Sequence, residues 1–281
     1  MIGVFDSGIG GVTVLKELLK ILPHEKFIYY SDSLNNPYGD KSFDELKKIV
    51  FRVVDTLIDN NCKIIVIACN TASTLSTCLR EKYSIPIVAI EPAYKMIYDN
   101  DFSEKTLVMA TKATINSDKF QQLYHKYDNH NTTLLSCSGL ADLVEEGNQK
   151  KIDNYLKNTL MPYRGVKCVV LGCTHYPLIK ENIRKVLGDV KFYDGSVGVS
   201  KQTRKILLEK DLINEDGDTY GGGGNDVSTG VEIAKEAAQY DMKVLLDFHY
   251  SDFWAEPAVQ LVPKAWKKDV NNTEKMCSDV Y

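Results

Sequence analysis

Two stretches constrain this chain more than any others: "IIVIACNTAS", from Ile64 to Ser73, and "CVVLGCTHYP", from Cys168 to Pro177. In each, a short apolar run stops at a cysteine, and polar residues follow at once. Apolar runs this short, without alternation, read as strands covered on both faces, the pattern of a parallel sheet. "IGVF" before Asp6 and "TLVMA" before Thr111 are of the same kind, and "FIYYSD" (27–32) and "IPIVAI" (85–90) fill in between. Helix-like segments at 12–21, 42–60, 72–82, 117–127 and 178–187 separate the runs. Strands alternating with helices predict an α/β fold with parallel sheets.

The spacing adds a second constraint. Asp6 precedes Cys69 by 63 positions, and Ala110 precedes Cys173 by the same 63. Each half therefore offers a loop after its first strand and a Cys-Thr-bearing loop later: "FDSG" with "CNT", then "ATKAT" with "CTH". The recurrence predicts two similar α/β lobes whose strand ends face a shared cleft, where open α/β sheets bind ligands. Chance recurrence of strand–helix units is the alternative.

Composition narrows the class of function. A formal net charge of −4 with no dense Lys/Arg run gives no electrostatic case for nucleic acid. No apolar stretch reaches membrane-spanning length, and "MIGVFDSGIGG" lacks the basic start and apolar core of a signal peptide. The seven cysteines are odd in number and scattered, which suits reduced thiols in a cytoplasm better than a disulfide framework. No CxxC, HExxH or His/Cys cluster marks a metal site, so no metal is expected.

A cysteine between a strand and a helix start sits near unpaired backbone N–H groups and the positive helix end, both of which favour the thiolate. Asn70, Thr71 and Ser73 behind Cys69 can cap a helix or hold a carboxylate. Thr174 and His175 follow Cys173, and an imidazole there can share a proton with a nearby acid or with substrate. Either cysteine alone reads equally well as a small core residue. As a matched pair they suggest an acid and a base on opposite faces of one bound carbon, the arrangement that inversion of a stereocentre requires.

These residues carry a resemblance to the glutamate racemases, cofactor-independent enzymes that supply D-glutamate for peptidoglycan. It runs over about 1–213 through "GVFDSGIGGVTVLKELLKILP", "NNPYGDKS", "IVIACNTAS", "PIVAIEPA", "KATINS", "LVEEG" and "LGCTHYPLI", in that order. The resemblance implies that Cys69 and Cys173 are the acid/base thiols. Asp6 would assist on the Cys69 side, and Glu145 and His175 on the Cys173 side. Ser7, Pro37, Tyr38, Gly39, Asn70, Thr71, Thr114 and Thr174, with Asp6, would bind the substrate carboxylates and amine. No cofactor is implied; the partner is glutamate itself, in the cytoplasm, and a homodimer is left open. A racemase for aspartate or another amino acid is the alternative within the class. On the residues alone, Asp6 and Ser7 could simply cap the next helix, Tyr38-Gly39 could be a turn, and Glu145 a solvated helix charge. Two local departures stand out: "SDSLNN" (31–36) replaces a Gly-Asp-Thr-like segment, and "SCSGLADLVEEG" lacks a proline near its start.

The expected division is a first lobe of 1–95 with about 198–214, a second of 96–197, and an atypical tail of 215–281. Within the tail, "GGGGND", "MKVLLDFHYSDFW" and "PKAW" (about 217–268) resemble part of a family 53 glycoside hydrolase, the endo-β-1,4-galactanases. The pattern there predicts a helix over 226–240 and a strand over 242–248 leading to His249 and Asp252, one unit of a (β/α)8 barrel. A retaining glycosidase needs two carboxyl groups about 5–5.5 Å apart. In that family both come from later strands, so galactan hydrolysis is not expected. The tail reads as a fusion or junction, or as a diverged ending, with an inactive or partly folded fusion as the competing class.

Overall fold

The apolar runs form strands. In the computed structural model, which describes residues 1–214, β1 (Ile2–Asp6) leads through α1 (Val12–Ile21) to β2 (Phe27–Ser31), and α2 (Phe43–Asp59) returns the chain to β3 (Ile64–Ile67). Then α3 (Ser76–Lys82) and β4 (Ile87–Ala89) complete a parallel sheet of order β2-β1-β3-β4. After α4 (Tyr94–Asn100) the pattern repeats with β5 (Thr106–Ala110), the short α5 (Lys112–Ile115), α6 (Asp118–Lys126) and β6 (Thr132–Ser136). It continues with α7 (Leu140–Glu145), α8 (Gln149–Leu160), β7 (Cys168–Gly172), α9 (Lys180–Leu187) and β8 (Lys191–Asp194). The second sheet, also parallel, has the order β6-β5-β7-β8. A final helix, α10 (Ser196–Glu209), follows.

The two sheets share one topology and one register. Ile2 pairs with Ile64 in the first and Thr106 with Cys168 in the second, the same separation in sequence. That equality is the structural origin of the recurring 63-residue spacing.

Both sheets are covered on both faces, as non-alternating runs require. Phe5, Ile65 and Ile67 point towards Val50, Val54 and Leu57 of α2 and Leu79 of α3. Their neighbours Ile2, Val4, Ile64 and Val66 point the other way, against Val14, Leu15 and Leu18 of α1 and Val199 and Leu207 of α10. In the second sheet, Leu107, Met109, Val169 and Leu171 meet α8 and α9, while Val108 and Val170 meet Tyr94, Ile97 and Phe120 of α4 and α6. Side chains close several helix starts: Ser42, Ser117 and Asn148 accept from Glu45 N, Phe120 N and Lys151 N.

The helices expected at 72–82 and 178–187 differ in one respect. Each begins as a 3-10 turn, Ala72–Leu75 and Tyr176–Ile179, before turning α-helical at Ser76 and Lys180. The tighter turn follows each cysteine loop and sets where its side chains emerge.

At the opposite ends of the strands, a buried carboxylate ties down residues 212–214. Glu25 accepts from Lys63 Nζ at 2.8–2.9 Å, from Asn214 N at 2.9 Å and from Asn214 Nδ2 at 3.2 Å. Lys63 also donates to Leu212 O at 2.6 Å. Glu25→Ala is expected to leave these donors short of an acceptor and to cost about 2 kcal/mol, read as a lower denaturation midpoint with catalytic parameters unchanged. The expected helix 226–240, strand 242–248, His249 and Asp252 lie outside the described residues.

Candidate active site

In each sheet the winding direction reverses between the two central strands, and loops leaving such a pair of strand ends part to open a crevice. Asp6 ends β1 and Cys69 lies two residues beyond β3; Ala110 ends β5 and Cys173 immediately follows β7. Both crevices open into one cleft of about 460 Å3, counting the part open to solvent. Ser7, Cys69, Asn70 and Thr71 line it from the first sheet, Thr111, Cys173 and His175 from the second, and Pro37, Tyr38 and Gly39 from the loop after β2. That loop is pinned by Asp32, which accepts from Tyr38 Oη at 2.5 Å and from Asn35 Nδ2 at 2.8 and 3.0 Å.

Around Cys69 the site is tight and carboxylate-rich. Cys69 Sγ lies 3.8 Å from Ser7 Oγ. Asp6 is fully buried; its Oδ2 accepts from Gly8 N at 3.2 Å and Gly11 N at 3.0 Å, and its Oδ1 from Thr174 Oγ1 at 3.1 Å. Burial lifts the Asp6 carboxyl above its ordinary range, despite the nearby His175 and these donors. The thiolate expected at Cys69 is not favoured in the free protein. Burial, with the Asp6 charge behind it, pushes the thiol up to about 12, outweighing the Ala72 N–H and Ser7 hydroxyl that pull it down. At pH 8 the free protein then carries Cys69 almost entirely as the thiol. Iodoacetamide at pH 8 should therefore alkylate the partly exposed Cys78 well before Cys69. Peptide mass spectrometry checks this, and rapid labelling of Cys69 in folded protein would contradict it.

Cys173 has a different set of partners. Its Sγ is 3.6 Å from His175 Nδ1, and His175 Nε2 is 2.6 Å from Glu145 Oε1. Burial disfavours the imidazolium, but the hydrogen bonds to Cys173 and Glu145 and the charge of Asp6 outweigh it, so the His175 pKa lies well above the ordinary value. By linkage, the stability this proton brings is complete below the unfolded value near 6.5 and is lost as pH rises through the raised folded one.

Of the expected site residues, Asp6, Glu145, Thr114 and Thr174 stand behind the cleft lining. Thr114 Oγ1 lies 3.0 Å from Thr111 and 3.5 Å from Thr71, so it braces the threonines at the lobe junction. Thr71 and Thr111 meet at 3.0 Å. The lining also holds residues that sequence reasoning missed, among them Thr111, Lys112, Cys137, Asp40 and Asp142. Thr111 had a signal: the offset that carries Cys69 to Cys173 carries Ser7 to Thr111. Asp142, facing Asp40, has its carboxyl raised by burial and by that neighbouring charge. Asn70 Oδ1, buried in the lining, has no hydrogen-bond partner, so it offers an acceptor to a ligand N–H. Among the described residues no group of His, Cys, Asp and Glu side chains could hold a metal ion, and no helix is long and apolar enough to cross a membrane.

Two like-wound sheets, each delivering a cysteine to one cleft, are the architecture of the Asp/Glu/hydantoin racemases, and the chain belongs to that family, whose profile matches residues 12–197. The glutamate racemase of Clostridium kluyveri is 45% identical over 216 residues, 74% of this chain and 84% of that protein. Among solved structures, the glutamate racemase of Francisella tularensis in complex with D-glutamate is 35% identical with a TM-score of 0.65, covering 77% of this chain and 84% of that one. The Escherichia coli glutamate racemase, in complex with L-glutamate and the activator UDP-MurNAc-ala, is 29% identical with a TM-score of 0.67, covering 76% and 84%. The glycosyl hydrolase family 53 profile matches residues 203–281.

Proposed function

We propose that the protein is a glutamate racemase, interconverting L- and D-glutamate by proton transfer at Cα. The observation that carries this is the pair of thiols, one beyond the central strands of each sheet, lining a single cleft. One thiolate first takes the Cα proton from one face, leaving charge at Cα, and the other thiol then delivers its proton to the opposite face. Each turnover leaves the thiol and thiolate exchanged, the form that runs the reverse reaction, and proton exchange with solvent resets them for another turnover in the same direction. Asp6 serves the Cys69 side, and His175 with Glu145 the Cys173 side. The substrate ammonium, brought beside Cys69, supplies the positive charge that the buried thiol lacks and helps it ionise.

Ser7, Asn70, Thr71 and the Pro37–Gly39 segment line the cleft with hydroxyl, amide and N–H groups suited to two carboxylates and an amine, while Thr114 and Thr174 support them from behind, Thr114 on Thr71 and Thr174 on Asp6. Such donors act most strongly on the charge developing at Cα when water is excluded. The division that goes with this reading is a first lobe of 1–95 with about 198–214 and a second of 96–197, with 215–281 appended. A cytoplasmic enzyme supplying D-glutamate for peptidoglycan, active as a monomer or homodimer, fits it.

The test follows the circular dichroism of L- and D-glutamate separately with the full-length chain. Both signals should decay to zero, and in deuterium oxide each turnover should place deuterium at Cα. Absence of exchange by folded protein would refute the proposal, and faster exchange with aspartate would redirect it. Reducing sugar released from galactan would assign an activity to the 203–281 segment instead.

A further inference from the structure

One peptide of the first sheet's β1–α1 turn is gripped at both ends. The Gly8 carbonyl accepts from Tyr29 Oη, on β2, at 2.6 Å. The N–H of the same peptide plane, that of Ile9, donates across to the second lobe, to Glu145 Oε1 at 2.7 Å. That oxygen is the one lying 2.6 Å from His175 Nε2, and His175 Nδ1 faces Cys173 Sγ at 3.6 Å. A continuous series of polar contacts thus runs from a tyrosine of the first sheet to the cysteine of the second. The contacts of Cys69 with Ser7 and Ala72 lie outside that series, although Tyr29 Oη also neighbours the Gly11 N–H, which donates to Asp6 Oδ2 at 3.0 Å.

We propose that Tyr29 is a positioning residue for the Cys173 half of the site, acting across the lobe boundary through the Gly8–Ile9 peptide. The proposal rests on the racemase function argued above. A peptide plane with a donor on its oxygen and an acceptor on its N–H satisfies both in one orientation, and each bond polarises the next. Gly8 cannot hold that orientation by itself, since glycine resists backbone rotation least. Nor can the crossing be widened: a Cβ at Gly8 would lie 1.7 Å from Glu145 Oε1, and one at Gly11 would lie 2.7 Å from Tyr29 Oη. Burial, with the charges of Asp6 and Glu145 behind it, keeps the Tyr29 phenol protonated, so it is a permanent donor.

His175 is faced by Cys173 from its own loop, by Glu145 and Asp142 from α7, and by Asp6 from β1. Loosening Glu145 weakens one of the two hydrogen-bonding contacts and leaves Cys173 and the charges of Asp6 and Asp142 in place. The imidazole should then give up its proton at lower pH.

The experiment is Tyr29→Phe in the full chain, beside wild type. Because the two enantiomers are equal in free energy, kcat/KM must fall equally for L and D, by about tenfold. The informative readouts are the alkaline limb of the pH–rate profile, expected at lower pH, and the Cα-deuterium isotope effect. That effect should grow for the enantiomer whose deuteron Cys173 removes and shrink for the other. A purely structural weakening would move neither. The midpoint of the His175 imidazole in an NMR titration should also fall, and this needs no turnover. A folded Tyr29→Phe protein with wild-type isotope effects, limb and midpoint would overturn the proposal. Failure of wild type to racemise glutamate would instead overturn the function, with the midpoint still deciding the role of Tyr29. Should the phenyl variant not fold, p-aminophenylalanine at position 29 keeps a weaker para donor; it should shift the midpoint the same way by less, and an unmoved midpoint would again overturn the proposal.

Discussion

Cys69→Ser and Cys173→Ser are each expected to abolish racemisation in both directions, with kcat/KM falling by about 10³-fold or more. Serine keeps the shape of the side chain with only a small loss of volume, so the packing around β3 and β7 is disturbed little. What is lost is an acid/base group whose ionisation can be brought within reach; a hydroxyl cannot serve as that base at neutral pH. General acid–base groups contribute about 10²–10⁴-fold each, and every turnover uses both thiols. Neither variant can therefore remain a one-way enzyme. Loss of the optical signal from purified L- and D-glutamate is the measurement, with unchanged thermal unfolding as the control. Activity within tenfold of wild type in either variant would remove that cysteine from the mechanism.

Gly10→Ala should produce the second large loss, and for a reason outside the chemistry. A Cβ at this position would lie 2.6 Å from Thr174 Oγ1 and 2.7 Å from both Thr174 C and His175 N. Two of those atoms are backbone, so no side-chain rotation makes room. The turn must back away from the loop that carries Cys173. Overpacking of this kind costs about 1–3 kcal/mol, a fall in Tm of roughly 2–12 °C for a body this size. Displacing reacting groups by about 1 Å costs of order 10²-fold in rate. Gly198 on α10 is the matched control, since nothing lies within 4 Å of its added Cβ. There alanine should be neutral or stabilising by up to about 1 kcal/mol. A Gly10→Ala enzyme with full activity would mean that the turn does not hold the lobes in register.

What the chain announced in advance was its buried half. The central strands β1, β3, β5 and β7 were legible because parallel strands covered on both faces are unbroken apolar runs. The outer strands β6, "TTLLS", and β8, "KFYD", gave no such signal: they lie at sheet edges, and none of their residues is fully buried. Helix α10 was hidden differently. Part of its inward face is Ser200 and Thr203, which read as polar but bond back to Ser196 O and Val199 O and so pack as if apolar. In the site, the cysteines were visible because each closes a strand. Glu145 was visible through family likeness alone, since a glutamate on a short helix otherwise reads as a solvated charge. Cys137 and Asp142 follow the unannounced β6 and had no local signature. The ionisation of Cys69 was misjudged because burial cannot be weighed against N–H donors until the packing is known.

The shared winding of the two sheets has a consequence for handedness. Copies of one topology built from L-residues can be superposed by turning, never by mirroring, whereas the enantiomers of an amino acid are mirror images. A swivel that exchanges the sulfur atoms does not exchange the antipodes they act on. The two ends of the cleft must therefore be dressed unlike one another, and they are: a hydroxyl and the charge of Asp6 act on one sulfur, and an imidazole backed by glutamate on the other.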